Sequence, residues 1–246
     1  MMRKRPKIIF FDWGNTLVVN EKNEKYNQDF GFKAILAKAI RNDEKITSDK
    51  LVAEYYEYKK ELHIDTRQGA LDLSIELPFS TILRYLLEKH GVLLSISYLE
   101  AAELFWKHSN KYIACDGVQD FLNFLSEQNI RTAIISNNLF QEEIIKRRLD
   151  EILPDNNMEF IISSADYGFI KPKQHLFNIA LQKARNVAAD AWHIGDDVIC
   201  DLKGASGAGI YPVWYNRYYS ERDLPTSDMI YLKAENWQDI KDILNQ

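Results

Sequence analysis

The stretch Lys7-Ile-Ile-Phe-Phe-Asp-Trp-Gly-Asn-Thr-Leu-Val18 runs four apolar or aromatic residues, Ile8 to Phe11, directly into a carboxylate, Asp12. A short continuous apolar run bounded by turn residues reads as a strand buried on both faces. Gly14 and Asn15 punctuate its end rather than extend it. Asp12 is thereby delivered to the carboxyl end of the strand, which in an open parallel sheet faces the crevice where ligands bind. On this segment alone, an Asp that merely caps a turn or a helix fits equally well.

Beyond residue 115 strand and helix patterns alternate. Gly117 to Glu127 reads as a helix, Arg131-Thr-Ala-Ile-Ile-Ser136 as a buried strand ending in a hydroxyl, and Glu142 to Leu149 as a helix. Phe160 to Ser163 is a short strand, Gln174 to Ala184 a helix, and Ala191 to Gly195 a strand that opens into an acidic loop. Leu202 to Ala208 is a short helix and Ile210 to Trp214 a strand, for which Pro212 argues an edge or terminal placement. Asp228 to Leu232 and Asn236 to Leu244 supply a last strand and helix. This alternation predicts an α/β, doubly wound, Rossmann-like parallel sheet covered on both faces.

Between about Asn20 and Ala114 the pattern is helical, with little sign of strands. Tyr26, Phe30, Ala34 to Leu36 and Ala39-Ile40 recur at helical spacing, and Ser48 fits as N-cap of a helix through Tyr58. Pro78 precedes a third helix ending near Gly91, and a fourth runs from Tyr98 through Trp106. The stretch 64–79 reads as a long connection. The expected organisation is a core domain of residues 1–19 and 115–246, with residues 20–114 inserted as an all-helical cap domain.

The 246 residues suit one such domain with its insertion. A formal charge of −5 gives no electrostatic case for nucleic acid or an anionic membrane as partner. No apolar h-region follows the basic head Met1-Met-Arg-Lys-Arg5, and no apolar run is long enough to span a bilayer. Cys115 and Cys200 do not make a disulfide framework, so a cytoplasmic protein with reduced thiols is expected. The sequence leaves the oligomeric state open.

Four polar groups stand just beyond predicted strands: Asp12, Ser136, Lys171, and the pair Asp196 and Asp201 in Gly195-Asp-Asp-Val-Ile-Cys-Asp201. This set suits phosphoryl transfer. A carboxylate can attack phosphorus, a hydroxyl and a lysine can hold equatorial oxygens, and hard carboxylates can bind Mg²⁺. Asp197 reads as a cap, and His175 and His193 as structural.

With these motifs in order, the chain resembles the haloacid dehalogenase-like (HAD) hydrolase superfamily. The resemblance makes Asp12 the nucleophile and Thr16 the threonine of the first motif. It makes Ser136, in Ile134-Ile-Ser-Asn-Asn138, the second motif, and Lys171, in Gly168-Phe-Ile-Lys-Pro172, the lysine motif. Gly195-Asp196 through Asp201 match the acidic fourth motif. It implies a substrate site at Thr16, Ser136, Asn137 and Lys171, and Mg²⁺ held by Asp12, the Gly14 carbonyl, Asp196 and Asp201. The expected partner is a small phosphorylated metabolite.

One departure stands out. Phosphatases of this superfamily carry a second aspartate two residues after the nucleophile, as proton donor and then as base, and here that position is Gly14. The loss removes help typically worth about 10²–10⁴-fold. Three readings remain: a phosphatase that is slow or borrows a proton donor from the cap (His63, Asp65 or Glu76); a phosphonatase-like C–P hydrolase, suggested by Asp12-Trp13 and needing a cap lysine such as Lys33 or Lys38; and a phospho-ligand-binding protein with little turnover. Haloacid dehalogenase activity fits poorly with an intact Gly195-Asp196.

Overall fold

The computed structural model describes residues 4–21, 26–64, 67–217, 225 and 227–245. Strand β1 (Ile8–Phe11) is buried at every position, and β2 (Val18–Glu21) follows the turn at Gly14-Asn15. Next come α1 (Gln28–Leu36), β3 (Ala39–Asn42), α2 (Ser48–Glu61), α3 (Arg67–Leu73), α4 (Phe79–Lys89), β4 (Val92–Leu94) and α5 (Tyr98–Ser109). Strand β5 (Lys111–Ala114) brings the chain back to α6 (Val118–Glu127), β6 (Arg131–Ser136), α7 (Glu142–Ile152), β7 (Ile161–Ser163), α8 (Ser164–Tyr167) and α9 (Gln174–Ala184). The last part holds β8 (Ala191–Gly195), a π-helical turn (Val198–Lys203), α10 (Gly204–Gly207), β9 (Tyr211–Tyr215), β10 (Leu232–Ala234) and α11 (Trp237–Leu244).

Six strands form one parallel sheet in the order β10-β9-β8-β1-β6-β7, with β1 in the interior. Alternate residues of β1 feed opposite faces, as a pleated strand requires. Ile9 and Phe11 pack with Phe121, Ile144 and Ile240 of α6, α7 and α11. Ile8 and Phe10 pack with Phe177 and Ala180 of α9 and with Ala205. Burial on both faces is why these strands read as unbroken apolar runs. Pro212 sits second in β9, which is an inner strand rather than the edge. Its missing N–H is tolerated because β10 begins pairing only at Val213. The expected strand over 228–232 forms later, at Leu232–Ala234.

The block between β2 and β5 is not all-helical. Strands β2 and β5 pair antiparallel, Val18 opposite Ala114, so the chain leaves and re-enters the sheet domain through one two-stranded ribbon. Within the block, β3 pairs antiparallel with β4, which turns Ala39 and Ile40 from helix into strand. Helix α3 occupies part of the expected long connection. Ser48 begins α2 rather than capping it: Thr47 holds the N-cap position, and the Ser48 hydroxyl donates to Asp29 Oδ1 of α1 at 2.5 Å. Among the described residues no helix is long and apolar enough to cross a membrane.

Candidate active site

Strands β1, β6 and β8 are neighbours, and Asp12, Ser136 and Asp196 stand at or just past their carboxyl ends. The Asp12 N–H donates to the Ile194 carbonyl (2.9 Å), which ties the end of β1 to β8. Lys171 arrives from the loop beyond α8 and is 1% exposed. Its Nζ donates to Asp12 Oδ1 (2.5 Å), Asp201 Oδ1 (2.6 Å) and the Ile135 carbonyl (2.9 Å). The three ammonium protons are thereby all used. Asn137 holds the Lys171 backbone at two points: its Oδ1 accepts from the Lys171 N–H (2.6 Å) and its Nδ2 donates to the Lys171 carbonyl (3.0 Å).

Asp201 is equally enclosed. Oδ1 also accepts from His193 Nε2 (2.9 Å) and Oδ2 from the Asp197 N–H (3.0 Å). Asp197 in turn caps the π-helical turn, accepting from the Ile199 and Cys200 N–H groups. Gly195 is required by this packing, because a β-carbon there would lie 2.2 Å from the Asp201 carboxyl carbon. Asp196 is held from its backbone, where Trp214 Nε1 donates to its carbonyl (3.1 Å), and its Oδ2 accepts from Asn15 Nδ2 (3.1 Å). Asn15 adopts φ +53°, a left-handed conformation that Asn tolerates and that aims its amide at Asp196.

The cluster carries three carboxylates against one ammonium. Burial raises Asp12 to about 6 although Lys171 opposes the shift, and burial together with Asp12 and Asp201 raises Asp196 to about 8. Against its own burial, Asp201 is held well below the usual carboxylate range by Lys171 and His193. Burial lowers His193, so Asp201 accepts from a neutral ring. Carboxylate oxygens of Asp12, Asp196 and Asp201 lie within 4.8 Å of one another. Hard oxygen donors with uncompensated negative charge fit a divalent cation such as Mg²⁺. Asp12 and Asp196 have the oxygens to hold it, whereas Asp201 already spends both of its own on protein donors.

The family model for haloacid dehalogenase-like hydrolases matches residues 6–209. The chain belongs to this family. It is 29% identical over 110 residues to the human haloacid dehalogenase-like hydrolase domain-containing protein 3, a match covering 43% of this chain and 41% of that relative. It is 26% identical to YfnB of Bacillus subtilis over 221 residues, 87% of this chain and 85% of YfnB. In fold it is similar to a 2-haloacid dehalogenase from Pseudomonas syringae (TM-score 0.65, 20% identity, 98% of each chain). It is also similar to a magnesium-bound structure of YfnB (TM-score 0.56, 22% identity, 99% of this chain and 100% of that one).

In this HAD-like hydrolase the end of β1 opens into a cavity of about 450 Å³, with Asp12, Gly14, Ser136 and Asn137 on its wall. Thr16 is fully buried, has no partner for its hydroxyl among the described residues, and is not part of that wall. The opposite side is aromatic. Tyr55, Phe79, Phe105 and Tyr112 line it, and Trp106 stacks on Phe140 at 4.4 Å and 5°. Trp13 joins this layer, with ring contacts to Trp106 and Tyr112. Its presence after Asp12 is thus accounted for by packing.

The expected proton donors do not line the cavity. His63 lies exposed past the end of α2, and Asp65 is outside the described residues. Glu76 sits behind the wall, where its Oε2 accepts from Ser164 (3.1 Å), and Ser164 Oγ accepts from the Asn138 N–H (2.7 Å). Lys33 pairs with Asp29 (2.6 Å) on an exposed helix face, and Lys38 is exposed past the end of α1; neither lines the cavity. Sequence reasoning missed the clamping roles of Asn137 and His193. Both act across more than thirty residues or between strand and turn, and no local spacing signals that.

Proposed function

We propose that this protein is a Mg²⁺-dependent phosphatase of small phosphorylated metabolites, acting through Asp12 in a cytoplasmic setting, with neither nucleic acid nor membrane as partner. The observation that carries the reading is the excess of carboxylates around a nucleophile whose one oxygen is fixed by Lys171. Asp12, the Gly14 carbonyl and Asp196 would hold the ion, with Asp201 beside them. The ion supplies charge neutralisation between these anions and a phosphoryl group.

The chain's own residues do the rest. Lys171 keeps one Asp12 oxygen engaged, which leaves the other to attack phosphorus in line with the leaving oxygen. Ser136, on the same wall, orients the phosphoryl oxygens, whereas the Asn137 amide, which the resemblance assigns to the substrate, is spent on holding the Lys171 backbone. The aspartyl-phosphate on Asp12 is then hydrolysed by water. A magnesium-bound structure of YfnB, a relative along most of the chain, supports the choice of ion. The position of Lys33 and Lys38 outside the cavity weighs against a C–P hydrolase working through an imine. The test is phosphate release from a panel of phosphorylated metabolites with Mg²⁺ or with excess chelator. Asp12→Asn and Asp196→Asn should each abolish it, and activity undiminished in chelator would overturn the reading.

A further inference from the structure

Asn15 carries more than its turn requires. The turn after β1 needs a residue that tolerates φ +53°, a demand that glycine meets with less strain. The turn is closed from the backbone, where the Asn15 N–H donates to the Val18 carbonyl (2.8 Å). The side chain takes no part in that closure. It stands on the wall of the cavity, and its Nδ2 donates to Asp196 Oδ2 at 3.1 Å.

Each carboxylate oxygen of the site can be sorted by what it already holds. Asp12 Oδ1 accepts from Lys171 (2.5 Å), which leaves Oδ2. Asp201 Oδ1 accepts from Lys171 and His193, and its Oδ2 from the Asp197 N–H. Asp196 Oδ2 accepts from Asn15, which leaves Oδ1. A cation between Asp12 and Asp196 therefore meets one free oxygen from each, and gripping either carboxylate by both oxygens competes with its donor. Such a pair suits Mg²⁺, which demands near-octahedral geometry, keeps several waters and takes few carboxylates. It suits Ca²⁺ less well, since the larger ion takes more oxygens and accepts carboxylates through both of theirs.

We propose that Asn15 is a positioning residue for the cation: by holding Oδ2 of Asp196 it presents Oδ1 alone, and this biases the site towards Mg²⁺ over Ca²⁺. The proposal rests on the reading of Asp12 and Asp196 as the residues that hold the ion, and adds what selects it. A neutral partner suits this task. An amide steers the carboxylate without cancelling the charge that attracts the cation, as a second lysine would.

The experiment titrates the metal-free protein separately with magnesium chloride and calcium chloride, by calorimetry at one pH. Asn15→Gly keeps the turn, and the side chain it removes is exposed, so the core is untouched. It should raise the Kd for Mg²⁺ by about tenfold, the lower end of what losing an outer hydrogen-bonding partner costs a metal site. The Kd for Ca²⁺ should stay within about twofold, because the freed oxygen becomes available to the larger ion. Asn15→Asp has equal size and equal tolerance of the left-handed region but no N–H to donate. It should shift the ratio of the two constants in the same direction. An unchanged ratio in Asn15→Gly would overturn the proposal, even if both affinities fall together. A shift that Asn15→Asp does not share would assign the effect to the backbone of the turn and overturn it as well. Asp196→Asn tells these failures from failure of the underlying reading. If that variant binds Mg²⁺ as the wild type does, or if the wild type binds neither ion, Asp196 does not hold the cation and the reading itself fails.

Discussion

A β-carbon placed on Gly14 meets no atom within 4 Å, and the residue in left-handed conformation in this turn is its neighbour Asn15. Glycine is therefore not demanded there by sterics or by backbone strain, and its effect is the chemical one of leaving no carboxyl beside the nucleophile. With phenyl or p-nitrophenyl phosphate, attack by Asp12 should be fast and hydrolysis of the aspartyl-phosphate slow. The expected result is a burst of phenol in rapid mixing, with the phosphoryl label on Asp12. Gly14→Asp should raise the steady-state rate by roughly one to three orders of magnitude, within the reach of a restored acid and base. It should help benzyl phosphate more than phenyl phosphate, because the alkoxide is the leaving group that needs the proton. Gly14→Asn is the control, similar in size but unable to move the proton. If the Asp and Asn variants behave alike, the absence of an acid at position 14 is not what limits the enzyme. Gly195 is the opposite case, since Asp201 already occupies the place of its missing side chain.

At the scale of elements, the segment from Ser74 to Ser80 lies across the two loops that build the site. The Glu76 N–H donates to Gly168 O (3.0 Å), the Phe79 N–H to Leu139 O (2.8 Å), and Gln141 Nε2 to Ser80 Oγ (2.8 Å). Burial raises the Glu76 carboxyl there to about 7, although the Ser164 hydrogen bond opposes the shift. A carboxyl raised on folding binds more protons in the folded state, so its contribution to stability is greatest below about 4.5 and declines as pH rises through about 7. Glu76→Gln keeps an acceptor for Ser164 and removes the titration. The fall in Tm between pH 5 and pH 8 should be smaller in the variant than in the wild type, and the Glu76 and Phe79 amides should exchange more slowly at pH 8. An unchanged difference in Tm would mean that Glu76 does not titrate in the folded protein. Such a contact was not legible in the sequence, where 64–79 has no periodicity. The buried strands were legible, because β1, β6 and β8 are covered on both faces, so that nearly every residue of these four- to six-residue strands is buried. The strands β2 to β5 escaped because they are three or four residues long and mostly half-exposed, so neither a run nor an alternation distinguishes them from helix. Asp12, Ser136, Lys171 and Asp196 were singled out through motif order, and the fold brings them to one end of the sheet. The bonds from Lys171 to Asp12 and Asp201 span 159 and 30 residues, a separation that only folding reveals.

For the whole molecule, the sheet brings three carboxylates to one point and supplies a single lysine in compensation, so the folded protein itself opposes full ionisation. Asp12, at about 6, and Asp196, at about 8, are both raised above the ordinary aspartate value of 3.8. Between pH 4 and pH 8 these two groups then bind more protons in the metal-free fold than in the unfolded chain. Their contribution to stability falls as pH rises across that window, against the opposite contribution of His193, which burial keeps neutral. A divalent ion binds the deprotonated carboxylates and must displace those protons. Stabilisation by Mg²⁺, which follows RT ln(1 + [L]/Kd), should therefore grow with pH. At a fixed millimolar Mg²⁺ concentration, the rise in Tm should be larger at pH 8 than at pH 6. Calorimetry near pH 6.5 should show a binding enthalpy that depends on the ionisation enthalpy of the buffer, corresponding to release of about one proton. Asp196→Asn should remove both effects, and because it also removes a buried like charge, the metal-free variant should lose less stability between pH 6 and pH 8 than the wild type. The two halves of this expectation fail separately. A Tm shift that is independent of pH would mean that the carboxylates are already ionised without metal. A shift undiminished in Asp196→Asn would mean that Mg²⁺ is held elsewhere than between Asp12 and Asp196.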